Sequence, residues 1–184
     1  MNRIFLVLIT TLVLAYPGVA ISESSGKDPL VNEIRIGIME HDVASRSTKH
    51  EDGQDFNSEF FFRSPSYRWV RFLGSPRPSA GLSINSNENT SLLYAGLNWD
   101  VRFIERLFFT LGLGGAIHDG ELQSTDPDEQ RLGSRALFRI GLAAGFNFSE
   151  RMNISALFNH CSNGHTAYPN NGMEQLGVQF GYTY

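Results

Sequence analysis

The 184-residue sequence holds a single cysteine, Cys161, which excludes an intramolecular disulfide and any zinc site built from several thiolates. It has no basic cluster. Its 15 Lys and Arg stand against 19 Asp and Glu, a formal charge of −4, and no stretch gathers the cations that a phosphate backbone requires, so no nucleic-acid partner is expected. Charged residues make up only 18% of the chain against 41% hydrophobic, the reverse of a disordered composition. Beyond residue 20 no apolar run is long enough for a membrane-spanning helix. Nucleotide loops are missing as well. The run Leu111-Gly112-Leu113-Gly114-Gly115 has neither the GxGxxG nor the GxxxxGK[ST] spacing, and it falls inside a predicted strand, where its glycines serve packing.

What is present begins with residues 1–20. A basic start at Arg3, an apolar run from Ile4 to Ala15 and the small-x-small ending Gly18-Val19-Ala20 read as a cleaved secretory signal. The remaining 21–184 read as one domain. From Ile34 onward apolar residues recur at every second position, the period of strands. The sets are Ile34, Ile36, Ile38; Phe56, Phe60, Phe62; Ala80, Leu82, Ile84; Leu93 to Phe103 on odd positions; Leu107 to Leu113 on odd positions; Ala136 to Phe148 on even positions; Ile154, Ala156, Phe158; and Leu176 to Tyr184 on even positions. They predict eight strands, with polar or Pro-containing loops near 45–53, 64–79 and 120–132.

The alternate positions decide the class. They carry small residues mixed with polar and charged ones, among them Arg35, Gly37, Asp55, Asn57, Glu59, Gly81, Gly96, Asn98, Asp100, Gly112, Gly114, Arg139, Gly141 and Asn147. A narrow barrel has a crowded lumen that accepts Gly, Ala, Ser and paired charges, while its outer face needs a continuous apolar band. The expectation is an all-β, eight-stranded antiparallel outer-membrane β-barrel of a Gram-negative envelope, with Trp99, Tyr182 and Tyr184 at the lipid–water boundary. A soluble sandwich or lipocalin-like barrel fits less well, because its apolar set would face inward.

The chemistry concentrates near the C-terminus. In Phe158-Asn159-His160-Cys161-Ser162-Asn163-Gly164, His160 and Ser162 lie two apart on the seventh strand and share the lipid-facing parity of Ile154, Ala156 and Phe158. Glu174 opens the eighth strand with the parity of Leu176, Val178 and Phe180, beside its hairpin neighbours. A carboxylate, an imidazole and a hydroxyl facing hydrocarbon are unfavourable unless they bond to one another. Catalysis gives them a reason: Ser162 as nucleophile, His160 as base, Glu174 as the orienting acid. Asn163 and the amide of Gly164 are the first choices for an oxyanion site, with Asn170 and Asn171 behind them. With a periplasmic N-terminus the seventh strand ends at the cell surface, which places these groups in the outer leaflet. There the bond within reach is an acyl ester of lipopolysaccharide.

The pattern His-x-Ser-Asn on the penultimate strand, followed by a Glu opening the last strand after an Asn-Gly loop, resembles the PagL lipid A 3-O-deacylases. His160, Ser162, Asn163 and Glu174 occupy those places, with a His-to-Glu separation of 14. The resemblance, specific over roughly 154–184, implies hydrolysis of the ester-linked acyl chain at position 3 of lipid A, with no metal or cofactor. The substrate partner would be lipid A in the surrounding leaflet, and a homodimer is left open. Two other readings compete. One is a non-catalytic barrel serving as an adhesin, structural protein or lipid-binding module, in which the same three residues form a polar strand end. The other is an enzyme of acyl transfer or phospholipid hydrolysis. General transport is excluded by the narrow bore. His41-Asp42 and His118-Asp119 lie at strand ends on the lumen parity, and we read them as structural. His50 and His165 read as loop residues, and Cys161 as a buried, unreactive thiol.

Overall fold

The computed structural model describes residues 29–43, 51–123 and 129–184; the expected signal, 1–20, and His50 lie outside them. Eight strands form a closed antiparallel barrel: β1 (Val31–Glu40), β2 (Gln54–Phe62), β3 (Arg77–Asn85), β4 (Leu92–Arg102), β5 (Leu107–His118), β6 (Ala136–Asn147), β7 (Met152–Ser162) and β8 (Met173–Thr183). Each strand pairs with the next, and β8 returns to β1 in register, with Ile36 opposite Phe180. Closure leaves no edge strand with unpaired backbone groups, the condition a sheet must meet in hydrocarbon.

Alternation sends the apolar sets outward. Ile36, Ile38, Phe56, Leu113, Ile140, Ile154, Val178 and Phe180 are all exposed on the wall, and Tyr182 and Tyr184 meet edge to face near one end of it. Arg35, Asp55, Asn57, Glu59, Asn98, Arg139, Asn159 and Gln179 are buried inside. Arg35 and Arg77 both pair with Glu33, at 2.7 and 2.6 Å, and Arg77 also pairs with Asp100 at 2.7 Å. Arg139 lies 4.0 Å from the centre of the Tyr94 ring and 3.5 Å from Glu59. The lumen is thus lined by charges that neutralise one another, with a cavity of about 770 Å³ between Glu33, Arg35, Arg77, Asp100 and Asn153 at the lower rim, and strands pack closely around it. A Cβ on Gly114 would stand 2.1 Å from the Ala95 carbonyl oxygen, so only glycine fits there.

The connections divide between two rims. The upper rim carries the β1–β2, β3–β4, β5–β6 and β7–β8 loops, and the lower rim carries the other three connections and the start of β1. One expected loop differs: β3 already begins at Arg77, and a short helix, α1 (Arg68–Phe72), lies within the β2–β3 connection. Arg77 belongs to the strand because its side chain turns inward to Glu33 and Asp100. Five helical residues after a proline carry too little periodicity to be read in advance.

Candidate functional site

The β7–β8 hairpin places His160 directly opposite Glu174. On the other side, β6 sets Ile140 opposite His160 and Phe138 opposite Ser162. His160 and Glu174 point outward with Leu176 and Val178, since Cys161 and Gln175 between them point into the barrel and are buried. Three polar groups therefore sit on the apolar wall at the upper rim, with the exposed Phe138 and Ile140 beside them.

Glu174 Oε1 lies 2.7 Å from His160 Nδ1, and His160 Nε2 lies 3.1 Å from Ser162 Oγ. A carboxylate only accepts, so Nδ1 carries a proton, and in the neutral ring Nε2 presents its lone pair to the serine hydroxyl, which donates. The ring is 36% exposed, while Glu174 is 14% exposed, so the carboxylate is shielded and the base faces the surroundings. Gly172, with φ of +75°, turns the chain into β8; a Cβ at this position would come to 3.4 Å from His160 Cε1. A backbone of this hand suits glycine, and it lets the loop pass close behind the ring.

Asn163 sits differently from the oxyanion expectation. It is fully buried, and its side-chain amide donates to the carbonyls of Leu132 and Pro169 at 2.9 and 3.0 Å. Its backbone N–H donates to Asn170 Oδ1 at 2.9 Å. With these donors committed, Asn163 acts as a brace in this geometry.

Sequence reasoning missed what that brace holds on to. Leu132, from the β5–β6 loop, is fully buried in a cluster with Leu92, Tyr94, Leu137, Cys161 and Met173 at the upper end of the lumen. Its neighbour Gln130 is buried too; the Gln130 N–H donates to Glu51 Oε1 at 3.1 Å, and its side chain meets Asp42. Glu51 also accepts from the Thr90 N–H at 2.9 Å and from His41 at 3.0 Å, and His41 is held on its other side by Asp55. Burial opposes the charge on His41, but the hydrogen bonds it donates to Asp55 and Glu51 outweigh it and carry its pKa up to about 9. Burial likewise opposes the Glu51 carboxylate, whose bonds to His41, Thr90 and Gln130 hold it below its usual range. Four surface loops are tied together beside the His160 cluster. Alternation marks Asp55 and His41 as lumen-facing, but it does not reach Glu51, Thr90, Gln130 and Leu132, which lie in loops.

Among the described residues, His118 and His165 do not form such a cluster. His118 donates from Nε2 to the Ser134 carbonyl at 2.7 Å, and Asp119 accepts from the Ser91 N–H, so the two do not pair. His165 lies in the β7–β8 loop, 3.5 Å from Asn170. Among the described residues no three His, Cys, Asp or Glu side chains are grouped to hold a metal ion.

Comparison with known proteins places these features in context. The profile of the family described as lipid A 3-O-deacylase (PagL) matches residues 80–183, a stretch that contains β4 to β8 and the whole cluster. No curated protein matches the chain. The crystal structure of the outer membrane enzyme PagL superimposes with a TM-score of 0.63 at 16% identity, covering 83% of this chain and 99% of that one. Neisserial surface protein A gives a TM-score of 0.55 at 10% identity, covering 83% of this chain and 96% of that one. A de novo designed transmembrane β-barrel gives 0.53 at 10% identity, covering 86% and 98%. At such identities the structural likeness speaks for the fold.

Proposed function

The chain belongs to the PagL family of lipid A 3-O-deacylases, and on that premise we propose that it hydrolyses the ester-linked acyl chain at position 3 of lipid A with Ser162 as nucleophile, His160 as general base and Glu174 as the group that orients the ring. The observation that carries this reading is the single imidazole bonded on one side to Glu174 and on the other to Ser162, on the lipid-facing wall. We place the enzyme in the outer membrane, exported with residues 1–20 as its cleaved signal, with the upper rim in the lipopolysaccharide leaflet.

In this mechanism Ser162 Oγ attacks the acyl carbonyl carbon while His160 Nε2 takes its proton. The negative oxygen of the tetrahedral intermediate is met by the Gly164 N–H. Collapse breaks the bond to the sugar oxygen, which leaves with the proton held on Nε2, and the acyl group stays on Ser162. Water then attacks this ester, again losing a proton to His160, and the fatty acid departs as Ser162 is restored. Glu174 keeps the ring in the reactive tautomer and balances its transient positive charge. Phe138 and Ile140 beside the site and Leu142 below it, all exposed, offer the acyl chain an apolar wall.

The test is mass spectrometry of lipid A from cells making either the parent chain or Ser162→Ala. The parent is expected to remove one acyl chain and the variant to leave it, a loss of about four to six orders of magnitude in rate. If lipid A is identical in both while the parent barrel is folded in the membrane, the chain is a non-catalytic barrel.

A further inference from the structure

We propose that the β2–β3 connection is an anchor that docks on the anionic phospholipid surface at the lower rim, on the opposite side of the membrane from the proposed active site. The charge pattern is the first argument. From Phe60 to Asn87 the chain has no Asp or Glu but carries Arg63, Arg68, Arg71 and Arg77. Arg77 turns into the lumen toward Glu33 and Asp100, whereas Arg68 and Arg71 stand exposed on α1 with no acidic neighbour in their own segment.

Apolar exposure is the second. Phe72 is 90% exposed and Trp69 and Tyr67 are each 64% exposed, with the two aromatic rings stacked at 6.3 Å. Only Val70 of the helix is buried. Such a set is unfavourable in water and is the composition of an interfacial segment, aromatic rings at headgroup depth beside basic residues.

The third argument fixes the occupant. The helix lies against the outside of the barrel: the indole N–H of Trp99, a residue of the outward parity of β4, donates to the Leu73 carbonyl at 2.7 Å. The aromatic face of α1 is therefore continuous with the apolar wall that meets lipid, and Phe103 and Ile104, at 74% and 64% exposure in the neighbouring β4–β5 turn, extend the same belt. A surface that begins in hydrocarbon and ends in two arginines at the lower rim fits acyl chains above it and phosphate groups below it. The arginines select anionic lipid, because each basic group near an anionic surface contributes about a five-fold preference. The assignment of this surface to the periplasmic leaflet rests on the orientation proposed above; the docking itself does not.

The full-length chain, folded into phosphatidylcholine vesicles containing a minority of phosphatidylglycerol, supplies the test. The sequence has two tryptophans, so the emission of Trp69 is the difference between the parent and Trp69→Phe. Lipids brominated near the carbonyl level are expected to remove most of that emission, and brominated phosphatidylglycerol is expected to quench several-fold more than brominated phosphatidylcholine at equal mole fraction. Arg68→Glu with Arg71→Glu should abolish that difference while the barrel keeps its folded mobility in unheated gels. Quenching by aqueous iodide with none by brominated lipid would overturn the proposal, as would quenching indifferent to lipid charge. Emission that follows the protein-to-lipid ratio would point to a second copy on this face and would equally overturn it. The readout involves no lipid A, so a failed deacylase reading leaves it intact.

Discussion

Glu174 is bonded through one oxygen only: Oε1 accepts from His160, while Oε2 is buried without a partner. This asymmetry leaves the side chain free to present either end to the ring if its chemistry changes. In Glu174→Gln the amide is isosteric, but its NH2 group is drawn to Nδ1 and forces the ring proton onto Nε2, where it blocks acceptance from Ser162. We expect a folded barrel with the rate of fatty-acid release from lipid A in detergent micelles lowered about 10⁴-fold, the size of effect seen when a carboxylate is lost from such a relay. Release at the parent rate would remove Glu174 from the mechanism. Asn163 answers to a different measurement. Replacing it by Ala strips two buried carbonyls, those of Leu132 and Pro169, of their donor, a destabilisation of about 1–3 kcal/mol for each group left unpaired. Hydrogen exchange should then rise across 163–171 while the strands keep their protection.

Among the elements, the upper loops behave as one clasp. The β1–β2 loop supplies His41 and Glu51, the β3–β4 loop Thr90, the β5–β6 loop Gln130 and Leu132, and the β7–β8 loop Asn163. The proton on His41 is part of that clasp. Its pKa stands near 9 in the fold against 6.5 unfolded, so folding favours the protonated form. The stability it contributes is fully present below about pH 6.5 and is lost as pH rises through 9. Protection factors of the Thr90 and Gln130 amides, corrected for intrinsic exchange, are expected to be high at about pH 6 and to fall by about pH 9.5, whereas His41→Gln should show low protection at both values. Protection that is flat across this range in the parent would detach the clasp from His41 titration.

For the whole molecule, the buried lumen charges set stability and occlude the bore. Arg139 is almost wholly enclosed, with Glu59 and the Tyr94 ring as its neighbours. Removing the carboxylate leaves a cation inside with no counter-charge, so Glu59→Gln is expected to lower the urea unfolding free energy in vesicles by about 3–5 kcal/mol. An unchanged midpoint would mean that the Tyr94 ring alone satisfies the guanidinium. Much of this architecture is legible in the sequence because a barrel wall repeats every two residues: counting places Ile154, Phe158, His160 and Ser162 on one face, and counting back from Leu176 places Glu174. Contacts between loops cannot be counted. Asn163 reads as a donor beside a serine, and nothing in the order of residues tells that Leu132, 31 positions earlier, takes up its amide. The segment 64–79 reads as a plain loop for the same reason, since α1 is too short to show a period and the outward parity of Trp99 says nothing of Leu73.

In the mechanism proposed, reacting groups on the convex wall, instead of in the bore, would meet a partner that arrives only by sideways diffusion within a sheet two molecules thick. Turnover by such a catalyst follows mole fraction in that sheet and not molarity in the tube, so inert amphiphile added at fixed enzyme and substrate acts as a diluent that slows the reaction without binding anywhere.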